Sequence, residues 1–211
     1  MSKQITIIGA TAGVGLLCVQ QGLERGYKII TLSRSTNTLP DHPRLVSIKG
    51  SATHSEDIKK AIAGSDAVIV TLGTGKSMKA TTLYTDWATA LIKAQKETQT
   101  TIPFIILTGF GAGNSSHYQG FFIRTLMKVI LGAVYKNKTS MEEMIAASPV
   151  KWEYVRPGML SNGPLTGRYR VITDYNKSMR INKIARADVA HYMLNQAENP
   201  TDIGKCPALS Y

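Results

Sequence analysis

Short apolar runs rich in β-branched residues alternate with helix-like stretches along most of the chain. The strand-like runs read QITIIG, YKIITLS, RLVSIKG, DAVIVTLG, TIPFIILTG and KWEYVRPG. The stretches between them predict helices from about Gly13 to Arg25, Ser55 to Ala63, Lys79 to Lys96 and Phe121 to Ala147. Several strand-like runs are apolar on both faces, which is typical of a sheet that helices cover on both sides.

This alternation predicts an α/β fold. Strands joined mostly by helices need right-handed crossovers, which place them in a mostly parallel, doubly wound sheet with helices on both faces. The sequence contains no linker, internal repeat or low-complexity tract. We therefore expect a single domain over residues 1–211, in which residues from about 157 to 211 form a small C-terminal subregion on the substrate side.

The charge balance indicates an anionic partner. The chain has 25 Lys and Arg against 14 Asp and Glu, a formal net charge of +11, and such an excess favours binding of anions. The basic residues are scattered and no nucleic-acid-binding motif is present, which argues against DNA or RNA as the partner. A highly phosphorylated small molecule fits the same charge.

Targeting, membrane and metal-binding signals are missing from the sequence. No apolar run approaches the roughly 20 residues that span a bilayer, and the opening residues MSKQITIIGA lack the features of a signal peptide. We expect a cytoplasmic protein without membrane contact. Cys18 and Cys206 stand at opposite ends of the chain and predict reduced thiols. Neither they nor the separated histidines have the spacing of metal ligands, so no metal is predicted.

The glycine-rich segment GATAGVG, residues 9–15, follows the first strand-like run and opens the first predicted helix. In doubly wound sheets this corner belongs to the ligand crevice at the carboxyl ends of the strands. Gly9 allows a sharp turn, Gly13 leaves room for a pyrophosphate against the helix amides, and Gly15 lets the helix approach the sheet. The positive end of the helix dipole then faces the phosphates. The segment predicts a dinucleotide site that includes Gly9, Thr11, Ala12, Gly13 and Val14.

The end of the second strand-like run distinguishes between the two nicotinamide dinucleotides. An acidic residue there would accept hydrogen bonds from a ribose 2′-hydroxyl, but the sequence has Ser33, Arg34 and Ser35. Arg34 can form a planar, charge-assisted clamp on a 2′-phosphate. NADP(H) is therefore the predicted cofactor, with these three residues in its site. The alternative is that Arg34 is one of many solvated arginines in a basic chain.

Small residues also follow the fourth and fifth strand-like runs, where they allow the backbone to approach the cofactor. The predicted contacts are Leu72, Gly73 and Thr74 after the fourth run, and Thr108 and Gly109 after the fifth. Because the carboxyl ends of parallel strands meet at one edge of a sheet, we expect these residues to lie on the same rim as the glycine turn.

Five segments, GATAGVG, TLSR, DAVIVTLGT, WEYVRPGMLSNGPLTGRYRV and INKIARADVAHYML, together resemble the atypical short-chain dehydrogenases of the NAD(P)H-binding, NmrA-like group. The sequence is most similar to the biliverdin reductase B, or flavin reductase, branch, and the similarity covers nearly the whole chain. The resemblance implies a Rossmann fold, NADPH, and hydride transfer to a flavin, a tetrapyrrole or another planar acceptor in a shallow site. It also favours a monomer over a homodimer.

The resemblance also implies further cofactor contacts. Pro157, Gly158 and Met159 would wall one face of the nicotinamide, and Ser51 and Ala52 would lie near the adenine. No acidic residue follows the third strand-like run, so contacts to the adenine are expected mostly from the backbone. Asp188 in ARADVAHYML is expected to cap or orient the last helix.

Two polar groups that are usual in this branch are missing here. The branch normally has a serine after the fifth strand and a histidine after the sixth, where this sequence has Gly109 and Met159. Thr108 is then the nearest remaining hydroxyl. A flavin or a quinone accepts hydride readily and needs little help from the protein, whereas a ketone would need a placed acid. The sequence therefore favours an easily reduced, conjugated acceptor.

Tyrosine-dependent relatives place a tyrosine and a lysine four residues apart on one helix, and the lysine lowers the pKa of the phenol. Here Tyr135 and Lys138 are three apart, and the matching tyrosine position is Val134. A shift of one residue turns a helical side chain by about 100°. The candidate catalytic residues are thus Thr108, Tyr135 and Lys138. A buried or surface tyrosine with a solvated lysine is the alternative.

The leading functional hypothesis is an NADPH-dependent reductase acting on a flavin, a quinone or a tetrapyrrole. The main alternative is a non-catalytic NADP(H)-binding sensor or regulator, which NmrA-like proteins can be. A sugar-nucleotide epimerase or dehydratase fits less of the chain, because such enzymes have a larger substrate region and an intact tyrosine–lysine pair.

Overall fold

The computed structural model describes residues 2–75, 80–118 and 121–211, with side chains for all of these except 121–131. Within these residues the chain forms ten strands and five α-helices. The strands are β1 (Gln4–Ile8), β2 (Lys28–Ser33), β3 (Leu45–Lys49), β4 (Ala67–Val70), β5 (Pro103–Leu107), β6 (Lys151–Pro157), β7 (Met159–Ser161), β8 (Arg170–Ile172), β9 (Lys183–Ala185) and β10 (Ala208–Ser210). The helices are α1 (Gly13–Glu24), α2 (Ser55–Ile62), α3 (Leu83–Thr98), α4 (Phe121–Ala146) and α5 (Arg186–Glu198), with a 3₁₀ helix at Gly113–Tyr118.

Eight strands form one sheet in the order β3-β2-β1-β4-β5-β6-β10-β8. Neighbouring strands are parallel, except that β8 runs antiparallel to β10. The order reverses between β1 and β4, and such a reversal opens a crevice at the carboxyl ends of the strands. The predicted doubly wound, mostly parallel Rossmann-type sheet is therefore confirmed, and the glycine turn between β1 and α1 lies at this crevice.

Helices cover both faces of the sheet. On one face, α1 and α5 pack over the central strands, and residues such as Ile7 belong to the core between them. On the other face, α2, α3 and α4 pack over a second core that includes the neighbouring residue Ile8 and the fully buried Trp87. Successive strand residues point to opposite faces, which explains why the neighbouring residues Ile7 and Ile8 are both apolar and buried.

The structure differs from the sequence predictions mainly after β6. Strands β7 to β10 were not predicted, because each has three residues, too few for an alternation of apolar and polar positions to be visible. Strand β7 pairs with β9 in a small separate sheet, and β10 extends the main sheet beyond β6. Helix α3 begins at Leu83, and its predicted start, Lys79, lies outside the described residues. In the described part of the chain, no helix has the length and hydropathy needed to cross a membrane.

Candidate functional site

The turn between β1 and α1 approaches β4 so closely that two of its glycines cannot carry a side chain. Gly9 has a φ of +87°, and a Cβ atom there would lie 2.9 Å from the carbonyl oxygen of Thr71. A Cβ atom on Gly15 would overlap both the Gly9 carbonyl oxygen and the Thr71 hydroxyl. That hydroxyl donates to the Gly9 carbonyl over 2.9 Å. Gly9 and Gly15 are thus required by packing.

Gly13 is required for a different reason. Its φ is +56°, in the left-handed region that favours glycine, and the nearest atom to a Cβ placed there is Nε of Arg186, at 4.0 Å. The backbone of Gly13, at the first residue of α1, therefore faces open space. A bound group can approach the main chain there without meeting a side chain.

The amino end of α1 has the features of an anion site. Ala12, at its N-cap position, makes no side-chain capping hydrogen bond, and the first turn contains no acidic residue. The leading N–H groups of a helix need acceptors from outside the helix, and the helix dipole favours a negative one. The residues present therefore fit a pyrophosphate, which would be held by the turn from Gly9 to Val14.

The end of β2 is attached to this turn by side-chain hydrogen bonds. The Ser33 hydroxyl accepts a hydrogen bond from the N–H of Ala10 over 3.2 Å, and the Thr38 hydroxyl donates to the carbonyl of Thr11 over 2.7 Å. Arg34 and Ser35 lie between these two attachments and are exposed. The loop that carries Arg34 is thus fixed next to the glycine turn, and no carboxylate stands at this strand end.

At the end of β3 one backbone donor is already engaged within the protein. The N–H of Ser51 donates to the carboxylate of Asp57 on α2 over 2.9 Å, so this backbone donor is not available to an adenine. A Cβ atom on Gly50 would also lie 2.8 Å from Asp57. Sequence reasoning missed Asp57 because the residue belongs to the following helix. The neighbouring Ala52 packs against the core on the α2 side.

The residues predicted after β4 lie at the same edge of the sheet. Leu72 packs partly against the core, Gly73 is exposed and Thr74 is half-buried. They follow β4, which is the strand that receives the close approach of Gly9. The carboxyl end of β4 therefore forms one wall of the crevice beside the glycine turn.

Tyr135 and Lys138 both reach the end of β5, although they are three residues apart on α4. Lys138 Nζ donates to the carbonyl of Thr108 over 2.6 Å and lies 5.8 Å from the centre of the Tyr135 ring. A Cβ atom on Gly109 would lie 3.0 Å from the Tyr135 hydroxyl. Val134, at the family's usual tyrosine position, is buried in the core instead.

Thr108 takes part in this arrangement through its backbone. Its side-chain hydroxyl oxygen is buried and has no hydrogen-bond partner among the described residues. Its carbonyl, by contrast, accepts the hydrogen bond from Lys138. Gly109, with a φ of +147° and no side chain, leaves space for the Tyr135 hydroxyl next to it.

Burial sets the charge states of both side chains. Loss of water raises the pKa of Tyr135 above its ordinary value, and no interaction with Lys138 offsets this. Burial lowers the pKa of Lys138 to about 8, against an opposing effect of the Glu142 carboxylate. The phenol therefore remains protonated at neutral pH and can donate a hydrogen bond.

A buried ion pair supports the loop after β5. Arg156 on β6 and Glu142 on α4 are joined by Nη2–Oε2 and Nε–Oε1 contacts of 2.6 and 3.4 Å, and their side chains are 3% and 5% exposed. Arg156 also donates to Asn114 Oδ1 over 2.5 Å. The N–H of Gly113 donates to the Thr139 hydroxyl on α4 over 3.0 Å. These contacts fix the loop 109–118 against the helix that carries Tyr135 and Lys138.

A groove of about 850 Å³ lies beside this loop. Its walls are formed by α4, β6 and the 3₁₀ helix, and it includes Tyr135, His117 and the stacked pair Trp152 and Tyr154. Its lining also includes Glu142 and Arg156, the two members of the ion pair. The groove therefore leaves room for a small molecule beside Tyr135.

The segment after β6 completes the rim of the crevice. Pro157 is buried and its carbonyl accepts the N–H of Phe110 over 2.9 Å, so the β5 and β6 loops are joined. A Cβ atom on Gly158 would overlap the carbonyl oxygen of Asn182. Met159 is 74% exposed. An apolar side chain therefore faces solvent directly after Gly158.

Asp188 does not cap the last helix, which corrects half of the expectation from the sequence. The N-cap of α5 is Ala185, without a side-chain capping bond. Asp188 is fully buried and accepts hydrogen bonds from Thr166, Gly167 and the Tyr211 hydroxyl. It therefore attaches the 166–167 turn and the carboxyl-terminal residue to α5. Burial alone would raise its pKa, but the hydrogen bonds it accepts, first the one from Tyr211, hold that pKa below its ordinary value.

Comparisons with known proteins agree with this geometry. A family model described as NAD(P)H-binding matches residues 9–200. A short-chain dehydrogenase/reductase from Veillonella parvula, solved in complex with NADP, superposes with a TM-score of 0.83 at 18% identity, over 100% of this chain and 95% of that one. The anaerobilin reductase ChuY of Escherichia coli O157:H7 superposes with a TM-score of 0.80 at 18% identity, over 99% and 97% of the two chains.

Two relatives were also found by sequence, and each match covers a smaller share of the other protein. An uncharacterized chloroplastic protein of Arabidopsis thaliana is 24% identical over 94% of this chain and 74% of its own length. A 3-beta-hydroxysteroid dehydrogenase of Mycolicibacterium neoaurum is 34% identical over 32% of this chain. The matched segment spans only 19% of that protein. The predicted nicotinamide dinucleotide cofactor and the oxidoreductase class agree with the family and with the fold of these neighbours.

Proposed function

Because the chain belongs to the NAD(P)H-binding family, we propose that it is an NADPH-dependent reductase that transfers hydride to a conjugated acceptor such as a flavin, a quinone or a tetrapyrrole. The observation that carries this proposal is the position of the Tyr135 hydroxyl beside Gly109, at the carboxyl end of β5. It gives the crevice a proton-bearing group where the similar branch has a serine.

The preference for NADPH over NADH rests on the end of β2. Arg34 is exposed in a loop that Ser33 and Thr38 attach to the glycine turn. Residues 33–35 contain no carboxylate that could bind a ribose 2′-hydroxyl or repel a 2′-phosphate. A guanidinium in this place can bind the 2′-phosphate through two parallel hydrogen bonds.

Tyr135 would act as a neutral donor. The bound cofactor supplies the hydride, and an acceptor that receives it gains negative charge, which must be stabilised or neutralised by a proton. The phenol keeps its proton because burial raises its pKa. It can therefore donate a hydrogen bond to the reduced acceptor and pass on a proton that solvent replaces.

Lys138 would position the helix rather than ionise the phenol. Its ammonium donates a hydrogen bond to the Thr108 carbonyl and lies 5.1 Å from the centre of the Tyr84 ring. This contact fixes the distance between α4 and the end of β5. An epimerase or dehydratase needs a tyrosinate as a base, so these charge states favour the reductase.

The exposed apolar side chains of the C-terminal segment support a planar acceptor. Met159 and Leu165 are 74% and 48% exposed, and Met159 directly follows Gly158 on the rim of the crevice. Apolar side chains that face solvent beside a site can cover the face of a conjugated ring system. We therefore assign the acceptor to the space between Tyr135 and this segment, in line with ChuY being an anaerobilin reductase of the same fold.

The test is steady-state oxidation of NADPH with FMN, with a quinone and with biliverdin as acceptors. We expect turnover of at least one, and a fall in kcat of about 100-fold in Tyr135→Phe, the usual size for loss of a proton donor. The dissociation constant for NADPH should not change, because Tyr135 is on the acceptor side. Tyr27→Phe is the matched control, since Tyr27 precedes β2 at the opposite edge of the sheet.

Two results would contradict the proposal. Tight NADPH binding without turnover of any of the three acceptors would favour the sensor or regulator instead. Turnover that is the same in Tyr135→Phe and the wild type would remove the tyrosine from the mechanism.

A further inference from the structure

Arg186 stands close to the dinucleotide turn although it is far from it in the sequence. It is the first residue of α5, and its Nε lies 4.0 Å from the place that a Cβ atom on Gly13 would occupy. Apart from the residues next to Gly13 and the backbone of α1 itself, no other atom comes as near to that point. The guanidinium is thus the side-chain group that borders the open space over the first residue of α1.

One hydrogen bond fixes the orientation of this guanidinium. Its Nη1 donates to Oδ1 of Asn162, which follows β7, over 2.9 Å. Among the residues that the structure describes, Arg186 has no acidic partner within ion-pair distance, whereas the buried Arg156 is paired with Glu142. Its remaining N–H groups are therefore available for a ligand.

The position of Arg186 is electrostatically unfavourable without an anion. A cation at the amino end of a helix faces the positive end of the helix dipole. Here two such ends are close together, because α1 and α5 pack side by side and Arg186 reaches the first residue of α1. The first turn of α1 has no acidic residue, and the carboxylate in the first turn of α5, Asp188, accepts its hydrogen bonds from Thr166, Gly167 and Tyr211 rather than from Arg186.

We propose that Arg186 binds the pyrophosphate of the dinucleotide from the side opposite the glycine turn. The turn then supplies backbone N–H groups, and the guanidinium supplies a charge-assisted contact to the same phosphates. Asn162 orients the guanidinium for this contact. The inference concerns retention of the cofactor alone and does not depend on which acceptor is reduced.

The experiment separates the two phosphate sites with fragments of the cofactor. Isothermal titration measures binding of NADP⁺, ADP-ribose and 2′-AMP to the wild type and to Arg186→Ala, Arg186→Lys, Arg34→Ala and Lys28→Ala. ADP-ribose has the pyrophosphate but no 2′-phosphate, and 2′-AMP has only the 2′-phosphate. Lys28→Ala removes the same charge from an exposed residue at the opposite edge of the sheet.

We expect Arg186→Ala to lower the affinity for NADP⁺ and ADP-ribose by about tenfold, as for the loss of one charge-assisted contact, and to leave the affinity for 2′-AMP within about twofold of the wild type. Arg34→Ala should lower the affinity for 2′-AMP and leave the affinity for ADP-ribose nearly unchanged. Arg186→Lys should fall between the wild type and Arg186→Ala, because lysine keeps the charge but loses the fork. Urea unfolding of each variant shows whether it is folded.

Three results would overturn the proposal. The first is unchanged affinity of Arg186→Ala for ADP-ribose. The second is a loss of affinity that is equal for ADP-ribose and 2′-AMP and accompanied by lower stability, since this would make Arg186 a packing residue. The third is a loss of affinity equal to that of Lys28→Ala, which would show an effect of net charge only.

Discussion

The two halves of the crevice are built in different ways. The centre of the proposed cofactor half is one short segment, Gly9 to Gly15, whose backbone would contact the cofactor. Gly9 and Gly15 leave no room for a side chain, whereas Gly13 is required by its positive φ. The proposed acceptor half is assembled from separate elements, with the side chains of Tyr135 and Lys138 on α4, the backbone carbonyl of Thr108 after β5, and the side chain of Arg156 on β6. The first half should therefore fail when an atom is added, and the second when a charge or hydroxyl is removed.

The largest effect is expected in the acceptor half, from Glu142→Gln. This change leaves Arg156 buried without its carboxylate, and breaking one side of such a pair costs about 3–5 kcal/mol. Urea unfolding measures the loss. Glu143→Gln, at the exposed neighbour, should be close to neutral. Equal effects of the two changes would show that the ion pair does not hold this half together.

The next effect is in the cofactor half, from Gly15→Ala. The added methyl group would overlap the Gly9 carbonyl and the Thr71 hydroxyl, so we expect a loss of about 3 kcal/mol in the free energy of unfolding. Gly13→Ala meets open space and should cost only about 1 kcal/mol through its positive φ. The two variants compared by urea unfolding thus separate packing from backbone conformation. A larger cost at Gly13 would contradict the assignment of these roles.

A smaller effect, on binding rather than folding, is expected from Arg34→Ala. Loss of the guanidinium should lower the affinity for NADPH by about tenfold, or roughly 1.4 kcal/mol, and leave the affinity for NADH within about twofold of the wild type. Calorimetric titration of both cofactors measures the difference. Equal weakening of NADPH and NADH would mean that Arg34 does not bind the 2′-phosphate.

The last effect concerns the pH dependence of stability through Lys138. Its pKa is about 8 in the folded protein against an ordinary value of 10.5, so above pH 8 the unfolded chain binds more protons than the native one. Stability from this group therefore rises between pH 8 and 10.5. Lys138→Met removes the buried ammonium and should be more stable than the wild type near pH 8. In urea unfolding, this difference in the free energy of unfolding should shrink from pH 8 to 10.5. Lys136→Met, at an exposed neighbour, is the control, and a difference that grows with pH would contradict the burial of the ammonium.

The acceptor half could be predicted from the sequence only in part. The spacing of Tyr135 and Lys138 marked them as candidates. A spacing of three residues on a helix places two side chains near the same face, but it does not predict which residues they contact. The structure brings the Tyr135 hydroxyl to Gly109 and Lys138 to the Thr108 carbonyl. It also shows that the Thr108 hydroxyl is buried, which no local pattern indicates.

The sequence by itself determined the features that depend on neighbouring residues. Alternation of apolar strands with helices led to the doubly wound sheet, and the glycine spacing after β1 led to the dinucleotide turn, because local backbone geometry and side-chain periodicity are encoded within a few residues. The carboxyl-terminal strands and the ends of helices were less accessible, since three-residue strands carry no periodic signal.

Only the tertiary structure decided which distant side chains meet. Asp57 reaches Ser51, Asp188 holds the 166–167 turn and Tyr211, and Arg186 borders Gly13 from the other end of the chain. Each of these contacts depends on how a helix packs on the sheet. Such packing is set by the sum of many apolar contacts in both core layers, so the identity of any one residue does not reveal its partner.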